Sequence, residues 1–295
     1  MKYGCFDDKN REYVIERPDT PMPWSNYLGN TDYGAIISNN AGGYSFFKSS
    51  AQGRFIRYRT NSIPSDQPGR YIYFRDKSDG GYWSASWQPV GKSLSEYTSE
   101  CRHGTAYTTI KSNYRRISSE VTYFVPLGKN YEIWDLTLKN DDDKKRTLSV
   151  FAFVEFSSEW YLAQDLINLQ FTQYTVKMDF VDGIVRYAML DNLPEDPDNF
   201  QNRDQCRHAF FGIVGADAAD FDTDRDAFIG PYRSYSNPLA VESGKCSGSL
   251  AHGDNGCGAL RSEFVLAPGE SKRILLILGI GKAETEGKKI LSLYS

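Results

Sequence analysis

The sequence predicts an all-β protein, a large antiparallel β-sandwich with few helices. Tyrosine (20 residues) and phenylalanine (17 residues) are numerous, and they occur with valine and isoleucine in short runs separated by turns. Such runs favour strands. Long periodic helices, an alternating strand–helix rhythm and internal repeats are missing from the sequence, which argues against helical and α/β folds. A length of 295 residues suits one large β domain or two smaller ones.

A central aromatic stretch, GRYIYFRDKSDGGYWSASWQPV at 69–90, predicts a β-hairpin. Its two apolar runs, 71–74 and 82–87, are joined by a short loop that contains Asp-Gly. Strand alternation places Trp83 and Trp87 on one face. We interpret these aromatic residues as core, because aromatic residues at alternating positions more often fill cores than bind sugars. An exposed sugar-binding platform is the alternative.

Other short apolar runs predict further strands. A first hairpin is expected within residues 1–17, and a last hairpin is expected at 261–280 around the turn 267–270. Between 107 and 155 the spacing is near that of a regular antiparallel meander. The other predicted strands are 32–38, 44–48, 54–59, 172–180, 183–190 and 209–214.

Two segments interrupt the strand pattern. Residues 157–171, SSEWYLAQDLINLQF, are expected to form a short helix or ordered loop whose base is held by Trp160, Leu162 and Leu166. Residues 191–208 are rich in Pro, Asp, Asn and Arg and predict a long loop. Loops of this length are usually functional or contact a partner.

Charge and composition exclude several classes of protein. The net charge is −4 and the basic residues are scattered, so we expect neither a nucleic-acid partner nor a membrane partner. The sequence has no apolar run of 18 residues, and we expect no signal peptide, because its first residues are too polar. Its five cysteines are odd in number and widely spread, which suggests free thiols in a reducing cytoplasm.

Two groups of residues partly resemble metal sites. Cys246, His252 and Cys257 are close in a glycine-rich loop, but a fourth ligand and zinc-ribbon spacing are missing. The alternating aspartates of 217–226 begin like a calcium loop, yet Arg225 occupies the position of its glycine. We therefore expect no metal, and we interpret 217–226 as a solvated acidic loop.

Common catalytic signatures, including the P-loop, GxSxG, HExxH and CxxC, are also missing. Glu155 and Glu159 flank an aromatic segment. A glycosidase pair cannot be chosen from their spacing, because the acid and the nucleophile are defined by their separation in space. The residues alone thus predict a β-sandwich and leave sugar binding open.

Longer blocks of sequence resemble a known family. The blocks MKYGCFDDKNREYVIERPDTPMPWSNYLG, PGRYIYFRD, YWSASWQPVGKSL, CRHG, RDAFIGPYRSYSNPLAVESGKCSGS and ILGIGKA occur in order. They resemble the N-terminal segment of the glycoside phosphorylases that act on cellobiose, cellobionic acid or N,N'-diacetylchitobiose. The resemblance extends to about Ala283. It implies that 1–283 form an N-terminal supersandwich, a galactose-mutarotase-like β-sandwich, and that 284–295 begin a linker or form a truncated tail.

The resemblance also implies an activity for the family. Its members split a β-linked disaccharide with inorganic phosphate, inverting the anomeric centre to give a sugar 1-phosphate, and so act as glycosyltransferase-type enzymes. Their general acid, an Asp, and their phosphate pocket lie in an (α/α)6 barrel that this sequence does not reach. We therefore expect the chain alone to be inactive and to have no catalytic residue. No metal or organic cofactor is expected, and phosphate is only a co-substrate.

The family's N-terminal domain helps to form a homodimer, and one of its loops closes over the partner subunit's substrate entrance. Residues 166–171 match that loop, which implies substrate-binding roles for Asn168, Gln170 and Phe171. Amides can donate to and accept from sugar hydroxyls. Phe171 replaces a basic residue of cellobiose-type members, which argues against plain cellobiose. A surface loop without sugar contact, a stand-alone carbohydrate-binding or dimerisation module, and a hydrolase of related architecture remain as alternatives.

Overall fold

Strands dominate the computed structural model, which describes residues 2–190 and 206–295. Eighteen strands lie in this part of the chain: β1 Gly4–Asp7, β2 Glu12–Ile15, β3 Ser25–Gly29, β4 Tyr33–Ser38, β5 Gly43–Phe47, β6 Tyr71–Asp76, β7 Tyr82–Ser84, β8 Thr98–His103, β9 Tyr107–Tyr114, β10 Ile117–Phe124, β11 Tyr131–Asn140, β12 Arg146–Glu155, β13 Val176–Val181, β14 Ile184–Leu190, β15 Cys206–Val214, β16 Asp220–Asp224, β17 Gly256–Leu266 and β18 Ser271–Ile280.

These strands form three antiparallel sheets. The first has ten strands in the order β1-β2-β8-β9-β10-β11-β18-β15-β14-β13, the second has five in the order β16-β17-β12-β6-β7, and the third is β3-β4-β5. The main apolar core contains side chains from all three sheets, among them Ile110, Val150 and Ile37. The prediction of a large antiparallel all-β sandwich with few helices is therefore confirmed.

Short helices fill some of the connections. In the described ranges they are α1 Leu162–Ile167, α2 Leu169–Thr172, α3 Arg225–Ile229, α4 Leu239–Ser243 and α5 Lys288–Ser292, with helical turns at Gln173–Thr175 and Ala283–Gly287. None of these helices has the length and apolar character that a transmembrane helix needs. The last helix packs on the ten-stranded sheet, where the Tyr294 and Tyr131 hydroxyls are 2.9 Å apart. The proposed domain boundary near residue 283 stays a prediction.

The central hairpin forms as predicted, but its two indoles do not share one row. Phe74 on β6 pairs with Trp83 on β7, and Trp83 is buried in the main core. The strand ends at Ser84, and Trp87 has a φ of 66°, which is a left-handed backbone conformation. Strand alternation therefore stops before Trp87, whose Nε1 donates to the Lys92 carbonyl over 2.7 Å. The core interpretation is confirmed for Trp83, whereas the shared face was wrong.

Two connections that the sequence pattern predicts within one sheet instead cross between sheets. Strand β12 pairs with β6 and β17, not with β11, and β18 pairs with β11 and β15, not with β17. The side chain of Asn140 stabilises this arrangement by linking the two corners. Its buried amide donates to the carbonyls of Lys144, Leu266 and Ala267 over 2.8, 3.0 and 3.1 Å. The predicted meander and final hairpin were therefore wrong beyond β11.

The acidic stretch 217–226 is not a solvated loop. Residues 220–226 form β16 and the start of α3, and Asp222 is completely buried. The Asp222 carboxylate accepts from the backbone N–H groups of Ser247 and Ser249, each over 3.0 Å. Two smaller predictions also fail, since 54–59 makes only isolated bridges and 172–175 are helical.

A buried ion pair connects the three sheets. Arg70, just before β6, donates to Glu132 on β11 over 2.5 Å and to the Ser45 hydroxyl on β5 over 2.6 Å. Glu132 also accepts from the Tyr33 hydroxyl and from Trp134 Nε1, over 3.1 and 2.7 Å. Burial alone would raise the pKa of Glu132, but the Arg70 charge and hydrogen bonds lower it. Every carboxylate oxygen is thus satisfied inside the core.

We expect Arg70→Met to destabilise the domain by about 3–5 kcal/mol, because Glu132 would remain as an unpaired buried charge. Lys111→Met is the matched control. It removes the cation of an exposed pair with Glu120, 3.1 Å apart, and should cost about 0–1 kcal/mol. Urea unfolding midpoints measure both effects. Equal losses in the two variants would contradict the structural role of the buried pair.

Candidate functional site

The segment 157–175 leaves the five-stranded sheet directly after β12 and folds into α1, α2 and a helical turn. Trp160 anchors its beginning. The indole is buried, packs on Phe55 with ring centroids 5.6 Å apart, and donates from Nε1 to the Tyr187 hydroxyl over 3.2 Å. Of the two predicted forms, a short helix or an ordered loop, the structure has the short helix, and buried Trp160 lies at its base as predicted.

Asp165 attaches α1 to the domain. It is the buried residue of this helix, and both of its carboxylate oxygens bind Arg57, over 2.6 and 3.0 Å. The Ser158 backbone N–H donates to the same carboxylate over 2.8 Å. Because this bidentate pair turns the Asp165 side of the helix inward, Leu166 points outward and is 60% exposed. The prediction that Leu166 holds the base was therefore wrong.

Glu155, the last residue of β12, lies completely buried beneath this segment. It accepts hydrogen bonds from Arg57, Arg59 and Arg225 over 2.9, 3.2 and 3.3 Å, and from the Tyr235 hydroxyl. Burial alone would raise the pKa of Glu155, but the three guanidinium groups lower it to about 2. The side chain is thus ionised at neutral pH and cannot donate a proton as a general acid.

The structure places the three predicted sugar-contacting residues together around the start of α2. Asn168 is half-buried and donates from Nδ2 to the Gln164 side chain. Gln170 and Phe171 are exposed. Both side chains carry amide groups that can donate to and accept from a sugar hydroxyl.

Sequence reasoning missed the apolar character of this surface. Several large apolar side chains of the segment are exposed, and we call them the α1–α2 surface: Tyr161 (44%), Leu166 (60%), Ile167 (73%), Phe171 (66%) and Tyr174 (71%). Clustered exposed apolar side chains mark interaction sites. The sequence did contain a signal of this exposure, because the predicted helix is too short to bury apolar residues on every side.

The remaining segments that the sequence singled out are the possible metal ligands and the loop 191–208. Within the described residues, no cluster of three or more His, Cys, Asp or Glu side chains could hold a metal ion. Burial raises the pKa of the Cys246 and Cys257 thiols, and exposed His252 lies 2.9 Å from Asp179. Of the predicted loop 191–208, residues 191–205 lie outside the described residues, and 206–208 belong to β15.

The lowered pKa of Glu155 makes the domain's stability depend on pH. Its ordinary value is 4.5 and its folded value is about 2, so the stabilisation is complete above about pH 4.5 and is lost as the pH falls toward 2. The shift corresponds to about 3 kcal/mol. We expect Glu155→Gln to destabilise the chain by at least this amount at pH 7, and by much less near pH 2.

Chemical unfolding of wild type and variant at several pH values measures this difference. Glu120→Gln, at an exposed position, is the matched control and should track the wild type throughout. A Glu155→Gln penalty that stays constant down to pH 2 would show that the carboxylate charge is not what holds the three arginines.

Comparison with known proteins connects this architecture to a family. Residues 11–295 match the family model described as glycosyl hydrolase 94, supersandwich domain. The chain is 42% identical over 294 residues to N,N'-diacetylchitobiose phosphorylase of Vibrio furnissii, covering 100% of this chain and 35% of the relative. The Vibrio proteolyticus enzyme of the same name is 44% identical over 286 residues, covering 97% and 34%.

The chain thus spans about a third of the length of these curated relatives. A solved structure from the human microbiome, named as a candidate kojibiose phosphorylase, superposes with a TM-score of 0.52 at 10% identity, covering 99% of this chain and 35% of that chain. At that identity the likeness concerns the fold alone. With the family model matching nearly every residue of a three-sheet antiparallel sandwich, the chain belongs to the glycosyl hydrolase 94 supersandwich-domain family.

Proposed function

We propose that this chain is the non-catalytic N-terminal domain of an inverting phosphorylase that splits N,N'-diacetylchitobiose with inorganic phosphate. One observation carries the proposal: nearly the whole of this chain matches, at 42% and 44% identity, about a third of each of two Vibrio enzymes named for that activity. Among the disaccharides that the sequence left open, these relatives favour N,N'-diacetylchitobiose over cellobiose and cellobionic acid. Phe171 agrees with this choice, because it replaces the basic residue that the resemblance assigns to cellobiose-type members.

The ionisation of the buried carboxylates supports a catalytic site elsewhere, in a barrel supplied by the rest of the protein. Cleavage of a glycosidic bond needs a carboxylic acid that is protonated and within reach of the leaving oxygen. Glu132 and Glu155 have lowered pKa values and are bound by arginines. Burial raises the pKa of Asp66 to about 6, but its oxygens are held by Ser38 and Tyr58 inside the domain.

We assign the α1–α2 surface to contact with a second subunit of a homodimer. Its exposed apolar side chains are typical of an interaction site, and the Asp165–Arg57 pair supplies the rigid base that such a site needs. Asn168, Gln170 and Phe171 would then lie at the partner subunit's substrate entrance and contact the acceptor sugar through amide hydrogen bonds. The surface loop without sugar contact is the competing interpretation.

Phosphate is the co-substrate of the proposed reaction, and no metal or organic cofactor takes part. We place the protein in the cytoplasm, because Cys5, Cys101, Cys246 and Cys257 are free thiols in the structure. Free thiols suit a reducing compartment.

The reaction is tested with the full-length parent protein and with this 295-residue chain. We expect the parent to convert N,N'-diacetylchitobiose and phosphate to N-acetylglucosamine 1-phosphate and N-acetylglucosamine, and to use cellobiose poorly. The chain alone should release nothing, since it lacks the proton donor. Sugar 1-phosphate from the chain alone, or cleavage by the parent without phosphate, would contradict the proposal.

The acceptor contact is tested in the parent by Asn168→Ala and Gln170→Ala. Each change should weaken acceptor use by about 0.5–1.5 kcal/mol, because it removes hydroxyl hydrogen bonds, while the KM for phosphate stays the same. Gln52→Ala, at another exposed glutamine, is the matched control. Kinetics of the synthetic direction with N-acetylglucosamine as acceptor measure the effect. An unchanged acceptor KM and kcat in the double variant would contradict the sugar contact and favour the surface loop.

A further inference from the structure

A groove of about 710 Å³ lies near Glu155, at the end of β12 in the five-stranded sheet. It runs between the segment before β6 and the turn that follows α3. None of the side chains of the α1–α2 surface lines it. The lining residues that matter here are Arg59, Gln67, Arg225, Tyr232, Arg233 and Tyr235. Polar planar side chains and two tyrosines therefore share one concavity, and the reaction proposed above uses none of them.

The groove has many hydrogen-bonding groups and a balanced charge. Four arginines lie in or beneath it and pair with four carboxylates: Arg57, Arg59, Arg225 and Arg233 with Glu155, Asp165, Asp226 and Glu242. A phosphate or an acidic peptide would find no uncompensated cation among these groups. A guanidinium has five N–H donors. Buried Arg57 uses all of its donors inside the domain, whereas Arg59, Arg225 and Arg233 each use fewer and keep N–H groups for a neutral ligand.

Tyr232 supplies an apolar platform beside these donors. Its ring is fully exposed, and its backbone has a φ of 60°. A left-handed conformation is unfavourable for a tyrosine, and the exposed ring gains no burial to offset that cost. Gly230, with a φ of 88°, makes the sharp turn out of α3 that directs the chain toward Tyr232. The turn is thus built to present an aromatic ring rather than to bury it.

We propose that this groove binds a neutral β-linked oligosaccharide. The faces of a β-linked glucose-type pyranose carry axial C–H groups, which stack on an aromatic ring such as that of Tyr232. The hydroxyl groups around the ring edge match the N–H donors of Arg59 and Arg233 and the amide of Gln67. The site is separate from the acceptor contact at Asn168, so it would hold longer sugar chains near the enzyme. The choice of N-acetylglucosamine oligomers as first probe rests on the proposed function.

Calorimetric titration of the 295-residue chain with the N-acetylglucosamine tetramer, and with the β-1,4-linked glucose tetramer, tests the groove directly. We expect saturable binding of the N-acetylglucosamine tetramer, and binding about tenfold weaker in Tyr232→Ala because the stacking platform is lost. Tyr27→Ala, at an exposed tyrosine on β3, is the matched control and should bind like the wild type. Thermal unfolding of both variants should match the wild type.

If neither tetramer binds saturably, or if Tyr232→Ala binds with wild-type affinity, the proposal of a sugar-binding groove is contradicted. Binding of the glucose tetramer alone would support the groove and contradict the N-acetylglucosamine specificity of the proposed function. The titration needs no phosphorolysis, so a failed activity assay of the parent leaves its outcome unchanged.

Discussion

The buried carboxylate of Glu155 binds arginines from two separate parts of the chain, and the two surfaces proposed above to bind ligands or partners depend on it. Arg57 bridges Glu155 to Asp165 and so fixes α1. Arg225 is the first residue of α3 and therefore fixes the turn beside the groove. Burying one carboxylate without a partner would be costly, but here several guanidinium groups offset the cost. The geometry of both surfaces is thus set from a single point at the end of β12.

The middle of the domain has a separate buried pair, Arg70 and Glu132, which joins the three sheets. A buried ion pair is weak evidence for stability by itself, since apolar residues could replace it. Its directional hydrogen bonds nevertheless specify one arrangement of the sheets, which an apolar core alone would specify less well. Asn140 does the same for the two corners where the chain changes sheet. Polar groups therefore specify the fold, while the apolar core supplies the driving force.

Local pattern was enough to predict most strands, the first and central hairpins, and the short helix after Trp160. It failed at β12 and β18, because a turn between two sheets has the same sequence pattern as a turn within one. It failed at Asp222 and Leu166 because their burial depends on partners far along the chain, such as Ser247 for Asp222 and the Arg57–Asp165 pair beside Leu166. The sugar-contacting assignments came from family resemblance. Neither the α1–α2 surface nor the groove could be predicted from the sequence, because both are formed by segments that only the tertiary structure brings together.

The central claim is that Glu155 fixes both surfaces at once. Hydrogen–deuterium exchange of the chain with and without Glu155→Gln tests it most directly, because exchange reports local opening segment by segment. The account predicts faster exchange in both 161–175 and 225–237, beyond the general increase that the lower stability of the variant causes in the core strands β9 to β11. Unchanged protection in both segments, or a loss confined to one of them, would contradict it.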